Sequence, residues 1–187
     1  MRLPEVSQRD ALPEDKRHIY DYLAETRGAV RPPFSVLLNH PDVCHLVSQV
    51  GTFARFKSAL TRDVIETATL TAAREFDCRF EWAAHVPQAL NAGVAADVVD
   101  AIANKSDVSK LNGNAPLVIS YVRQVLKDHR VDDATWSAVN QAFGKEGALE
   151  LTMTAGYYGM LASFLNVLQI EPAADAAQLP GTHTEGA

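Results

Sequence analysis

Basic residues are in short supply in this chain of 187: 17 lysines and arginines against 23 acidic residues leave a net charge of −6. That balance offers a nucleic acid no electrostatic footprint. No block of lysine and arginine offers one to an anionic membrane surface either. Cysteine is scarcer still. Cys44 and Cys78 are too few for a disulfide framework, and a cytoplasmic address is the default expectation. The opening residues, M-R-L-P-E-V-S-Q-R-D, lack an apolar core and do not read as a signal peptide. The longest apolar-leaning stretch, from Leu149 to Ile170, is broken by polar residues and glycines, so it reads as a buried helix and not as a membrane span. Period-two alternation is missing, and with it any reason to expect a strand. Neither a short repeat nor a low-complexity linker divides the chain.

What is present is ordinary for a globular protein: 47% apolar and 21% charged residues, enough chain for one medium domain. Apolar positions recur at helical spacing almost throughout, and proline and glycine punctuate them. Helices are expected from Pro13 to before Gly28, as a short piece at F-S-V-L-L-N-H, and from Pro41 to about Lys57. In that last helix Val43, Leu46, Val47, Val50, Phe53 and Ala54 form the apolar stripe. Residues 62–75 and 77–91 read as two helices split near Phe76-Asp77, with Thr61 as N-cap and Gly93 as C-terminal cap. A short helix over 95–104 and the polar loop K-S-D-V-S-K-L-N-G-N follow. Further helices run from Pro116 to about His129, over 133–143 behind an Asp132 cap, and over 146–168. The expected architecture is an all-α bundle of about seven helices. One domain over 13–170 lies between a loose arm at 1–12 and a flexible tail at 171–187.

The stretch from Asp63 to Gly93 carries an unusual group of side chains on an alanine-rich background: Glu66, Cys78, Glu81, Trp82 and His85. Helical spacing puts the last four on one face. Glu81 and His85 stand at i, i+4, where a carboxylate orients an imidazole and raises its basicity, which suits proton transfer near neutral pH. Glu66, if its helix packs on that face, adds a second carboxyl able to titrate high. Each residue alone has a plain structural reading: a solvated ion pair, a small buried thiol, a core tryptophan. The grouping is what points to a site. Trp82 and Tyr158 are its expected pocket-lining residues. His18, His40, His45 and His129 read as surface or capping residues.

The run E-x11-C-x-x-E-W-x-x-H-x-x-x-A-x-x-A-G-V resembles the core of the carboxymuconolactone decarboxylase-like family, which includes the alkyl hydroperoxide reductase partner AhpD. Flanking segments R-P-P-F-S-V-L-L-N-H-P-D and F-A-R-F-K-S-A-L-T-R-D-V-I-E fit as well. The likeness covers roughly residues 30 to 105, and G-Y-Y-G-M-L-A-S-F-L-N more loosely. It implies an all-helical, AhpD-like fold that assembles as a homo-oligomer, a trimer or hexamer, through the helical core. The AhpD branch uses C-x-x-C-x-x-x-H with an upstream glutamate. Here Cys78, His85 and Glu66 match, while Glu81 stands where the second cysteine belongs. A carboxylate cannot resolve a disulfide, so Cys44 would have to serve or an outside thiol recycle a sulfenate. The decarboxylase branch implies acid/base work on a small lactone carboxylate without a cofactor. Glu66, Glu81 and His85 then act, Cys78 lines the pocket, and Arg55, Arg62, Arg74 or Arg79 meets the substrate's carboxylate.

The leading expectation is therefore a cofactor-independent, lyase-type acid/base enzyme acting on a small carboxylate or lactone substrate. Catalytic candidates are Glu66, Cys78, Glu81 and His85. The alternatives are a thiol peroxidase using Cys78, a metal site built from Glu66, Glu81 and His85, and a non-catalytic oligomeric scaffold. No metal, cofactor, nucleic acid or membrane is expected as a partner.

Overall fold

Helix α4 (Arg62–Glu75) is buried continuously from Val64 to Ala73 and forms the axis on which the other helices pack. Its small side chains let neighbours approach from every side. Two of its threonine hydroxyls are satisfied within the helix, Thr69 donating to the Ile65 carbonyl at 2.8 Å and Thr71 to that of Thr67 at 2.7 Å. A computed structural model describes residues 1–182, and among these it contains eight α-helices and no strand. The rest are α1 (Arg17–Arg27), α2 (Phe34–Leu37), α3 (Pro41–Phe56), α5 (Arg79–Asn91), α6 (Ala96–Ala103), α7 (Ala115–Arg123) and α8 (Asp133–Leu168). Helices α5, α6, α7 and α8 all touch α4, while α1, α2 and α3 close the remaining side. No described helix is long and apolar enough to cross a membrane.

The boundaries follow local chemistry. Gly28, at φ +76°, ends α1 in the left-handed conformation that glycine adopts without cost. The His40 side chain accepts from the Val43 amide in front of α3, and Asp132 does the same for Thr135 in front of α8. The break expected within α8 sits at Gly144, whose φ of +70° and ψ of 177° interrupt an otherwise helical run. The helix expected to reach His129 is α-helical only to Arg123 and widens into a π-helical turn over Gln124–Asp128.

Three apolar clusters hold the bundle. The largest joins α1, α3, α4, α7 and α8 around Leu23, Ile65, Tyr121 and Leu151. A second gathers Leu70, Trp82, Ile102 and Ile119 between α4, α5, α6 and α7. A third holds Val36, Cys78, Ala162, Leu165 and Ile170. Each large side chain so buried contributes about 1.5–3 kcal/mol.

One sequence reading needs correction here, and both termini add detail. The stripe assigned to α3 is rotated: Leu46, Val50 and Phe53 are exposed, while Cys44, Val47, Ser48, Gly51, Thr52 and Ala54 face the bundle. Small residues win that side because they admit close packing; Gly51 leaves room for the Tyr157 ring, whose Oη would lie 2.0 Å from any Cβ there. The arm at 1–12 lies along the bundle, with the Val6 amide donating to the Ser35 carbonyl at 2.7 Å and Leu12 buried. Of the expected tail, residues 183–187 lie outside the described residues, and Leu179 is buried in the second cluster.

Candidate functional site

Helices α4 and α5 meet at a tight reversal. Phe76 caps α4, Asp77 takes a φ of +48°, and Cys78 is extended at the N-cap of α5. The reversal lays α5 antiparallel against α4 and brings Glu66 to His85, 19 residues away. His85 Nδ1 donates to Glu66 Oε2 at 2.7 Å, and His85 Nε2 lies 3.2 Å from Glu81 Oε2, one turn back on its own helix. Glu66 is fully buried, and its other oxygen accepts from Arg62 Nη2. Arg62 also donates to the Arg55 carbonyl at 2.9 Å, which anchors it to the end of α3. Two acids thus face one guanidinium and one imidazole, a set that balances in charge when His85 is protonated. Burial by itself lowers the pKa of His85, but the hydrogen bonds to Glu66 and Glu81 outweigh it and hold the ring above its ordinary value.

This group forms one wall of a cavity of about 440 Å³. Glu81 and His85 line it, together with Arg27, Arg55, Tyr157 and Tyr158; Glu66 stands behind His85 and does not. The Tyr158 ring meets the imidazole edge-on at 5.1 Å, and Tyr157 meets Tyr158 likewise at 5.2 Å. Burial pushes both phenols upward, so they remain neutral donors. The Tyr158 hydroxyl has no partner of full hydrogen-bond geometry, although Thr69 lies near enough to favour its anion slightly. The arrangement provides a carboxylate–imidazole pair at Glu81–His85, a positioning carboxylate in Glu66 and an aromatic back wall.

Residues 41–120 match the model of the carboxymuconolactone decarboxylase family. This segment is carboxymuconolactone decarboxylase-like. No curated protein matches the chain. Among solved structures the chain is similar to an alkylhydroperoxidase AhpD core from Ralstonia eutropha JMP134, an uncharacterized peroxidase-related protein. That likeness has 20% identity, 92% of each chain covered and a TM-score of 0.76. It is also similar to an uncharacterized peroxidase-related protein from Silicibacter sp. TM1040, at 12% identity, 91% of this chain and 93% of that one, with a TM-score of 0.71. The all-helical, AhpD-like fold and the family resemblance read from the residues both hold.

The carboxymuconolactone decarboxylase-like segment supplies Arg55, Arg62, Glu66, Cys78, Glu81, Trp82 and His85, but not all of them meet. Glu66, Glu81 and His85 do. Trp82 was expected to line the pocket; it lies in the second core cluster, because consecutive helical residues point about 100° apart and Glu81 takes the cavity side. Cys78, expected on the same face as His85, precedes the helix in extended conformation and is buried among Val36, Ala162, Leu165 and Ile170. Desolvation pushes its thiol to about 12, even though backbone N–H groups at the start of α5 pull the other way. Cys44 is likewise pushed to about 12.

Of the four cations considered, Arg62 holds Glu66, Arg74 pairs with Asp77, and Arg79 lies 2.8 Å from Glu171. Arg55 alone lines the cavity. Arg27 and Tyr157 were not singled out as site residues. Both lie outside residues 41–120; Tyr157 falls in the loosely similar G-Y-Y-G-M-L-A-S-F-L-N run, whereas nothing in the local sequence of Arg27 links it to the site. Among the described residues no group of three or more His, Cys, Asp and Glu side chains is arranged to hold a metal ion. Both nitrogens of His85 face carboxylates instead.

Proposed function

We propose that the chain is a cofactor-independent acid/base enzyme of lyase type, acting on a small carboxylate or lactone in the cavity beside His85. The observation that carries this reading is the imidazole held between Glu66 and Glu81, with Glu81 and His85 open to the cavity. Glu66 orients the ring through Nδ1. Glu81 and His85 share the proton that moves. In a decarboxylation, the C–C bond to the departing CO2 breaks and its electron pair rests on the adjacent unsaturated carbonyl as an enolate. His85, charged between its two acids, delivers the proton that quenches the carbanion carbon; solvent then restores it. General acid/base groups of this kind contribute roughly 10²- to 10⁴-fold in rate. A panel of small carboxylated lactones, followed by CO2 release, tests the reading. Turnover in the intact chain should fall by about that factor in His85→Gln and Glu81→Gln. Unchanged turnover in both variants overturns it.

The thiol-peroxidase reading ranks second, supported by the peroxidase-related descriptions of the two similar structures. A thiol at about 12 in a hydrocarbon pocket works against it. Peroxide treatment followed by mass spectrometry should find Cys78 unmodified; a Cys78 sulfenate formed at neutral pH would favour the peroxidase. Association of copies also remains part of the proposal. The exposed apolar residues Leu46, Val50, Phe53 and Phe56 on α3 support it, and sedimentation of the chain against Leu46→Lys tests it.

A further inference from the structure

The proton-handling group leaves the rest of the cavity lining unexplained, and that lining carries three arginines: Arg31, which is exposed, and the less exposed Arg27 and Arg55. Arg27 closes α1 and Arg55 stands near the end of α3; both line the cavity that Glu81 and His85 border. Among the described residues neither lies within ion-pair distance of a carboxylate, in a chain with six more acids than bases. Neutral groups hold them instead. Arg27 Nη2 donates to the Ser48 carbonyl at 3.0 Å and to Thr52 Oγ1 at 3.4 Å, while its guanidinium stacks 4.1 Å over the Phe34 ring. Arg55 Nη2 donates to Gln88 Oε1 at 2.6 Å. The Nε of each has no hydrogen-bond partner. Burial holds Arg27 below its ordinary value, Tyr157 offsets part of that, and the charge of Arg55 adds to it.

Two like charges that line one cavity and act on one another, each with an Nε–H to spare, repel until an anion lies between them. A purely structural arginine in this position would be expected to find one of the chain's many acids. Neutral acceptors and an aromatic face instead hold these two in place ahead of any ligand, so little side-chain freedom remains to be lost on binding.

We propose that Arg27 and Arg55 form an oxyanion clamp that holds the anionic group of a small ligand and turns its reacting carbon toward Glu81 and His85. The inference rests on the proposed function and deepens it by naming the recognition chemistry: a planar carboxylate, or a phosphate as the other source of oxyanion oxygens. Arg27 comes from outside the family segment, so half of the clamp is set by the part of the chain that the family model does not describe.

The test is calorimetric titration of the full chain at low ionic strength with malonate, with inorganic phosphate and with neutral malonamide. The clamp predicts one saturable malonate site per chain and no malonamide binding. Phosphate tighter than malonate would identify a phosphoryl ligand for the same clamp. Arg27→Gln and Arg55→Gln should each weaken malonate by about 10- to 100-fold, while Arg27→Lys, which keeps the charge but not the fork, should fall between. Thermal melts confirm that the variants stay folded; should Arg27→Gln not fold, Arg27→Lys and Arg55→Gln carry the decision. Equal binding of malonamide, or malonate binding indifferent to Arg27 and Arg55, overturns the clamp. His85→Gln separates the two proposals. Turnover retained in that variant and in Glu81→Gln sinks the acid/base reading and leaves malonate binding standing. Turnover lost while malonate ignores both arginines sinks the clamp alone.

Discussion

Two buried places seven residues apart, one at the N-cap of α5 and one within it, treat their protons in opposite ways. At His85 the ring is only 4% exposed, yet carboxylates at both nitrogens keep its charged form favourable. At Cys78 the side chain is wholly buried, its side-chain neighbours in the cluster are apolar, and burial outweighs the backbone N–H groups of α5 to hold the thiol neutral up to about 12. Depth is the same; partners differ. Burial by itself disfavours charge, and only opposite charges and hydrogen bonds at contact distance turn a buried group into one that exchanges protons near neutrality. The contrast is why the acid/base reading gains over the thiol reading, although the sequence offered both residues in one short run.

The sharpest way to break the contrast is to remove the partner of the charged side. Glu66→Ala leaves Arg62 and His85 without their shared acid and should cost about 3–5 kcal/mol. In a chain of this size that lowers the melting temperature by roughly 6–20 °C in a calorimetric scan. A loss near zero would mean that the cluster is solvated and not held. Next in size is Gly51→Ala. The new Cβ falls 2.0 Å from the Tyr157 hydroxyl, and the displaced ring presses on Tyr158 and through it on His85. Overpacking should cost about 1–3 kcal/mol, and Tyr157→Leu in the same chain should recover most of it in a double-mutant cycle.

Stability against pH sharpens the comparison without disturbing the core. The folded-state pKa of His85 is raised above its ordinary 6.5, so its contribution is complete below about pH 6.5 and is lost as pH rises through the folded value. Cys44 and Cys78 are raised from 9.0 to about 12, so their contribution persists to about pH 9 and is lost above it as the unfolded thiols ionise. Denaturant titrations should show two separate declines, each up to about 1.4 kcal/mol per pH unit per group. His85→Gln should remove the first and leave the second. Smallest is Cys78→Ala, expected to cost about 1 kcal/mol as a modest cavity and to leave any turnover unchanged. A large loss of turnover with little loss of stability would place the sulfur in the chemistry after all.

Much of the fold was legible, because helices are written in local terms. The split at Phe76-Asp77, the Asp132 cap, the break at Gly144 and the loop from Lys105 to Asn114 each depend on residues within one or two turns of the feature. The stripe of α3 was misread because two of its faces are apolar, and contacts from distant helices, Tyr157 against Gly51 among them, select the buried one. In the site, the Glu81–His85 rung was legible for the same reason as the caps: i, i+4 spacing brings the two side chains together whatever surrounds the helix. Trp82 and Cys78 were not, since a spacing rule says which residues share a face only inside the helix, and Cys78 lies just outside it.

By itself, then, the sequence determined the helices, their ends and the carboxylate–imidazole pair of Glu81 and His85, because covalent connection and backbone geometry enforce contacts within a turn. Tertiary structure alone decided that Glu66 reaches the other nitrogen, that the sulfur sits among apolar side chains, and that Arg27 joins Arg55 in lining the cavity. Those relations depend on how each helix is rotated against its neighbours. Side-chain volumes contributed by the whole chain settle that rotation.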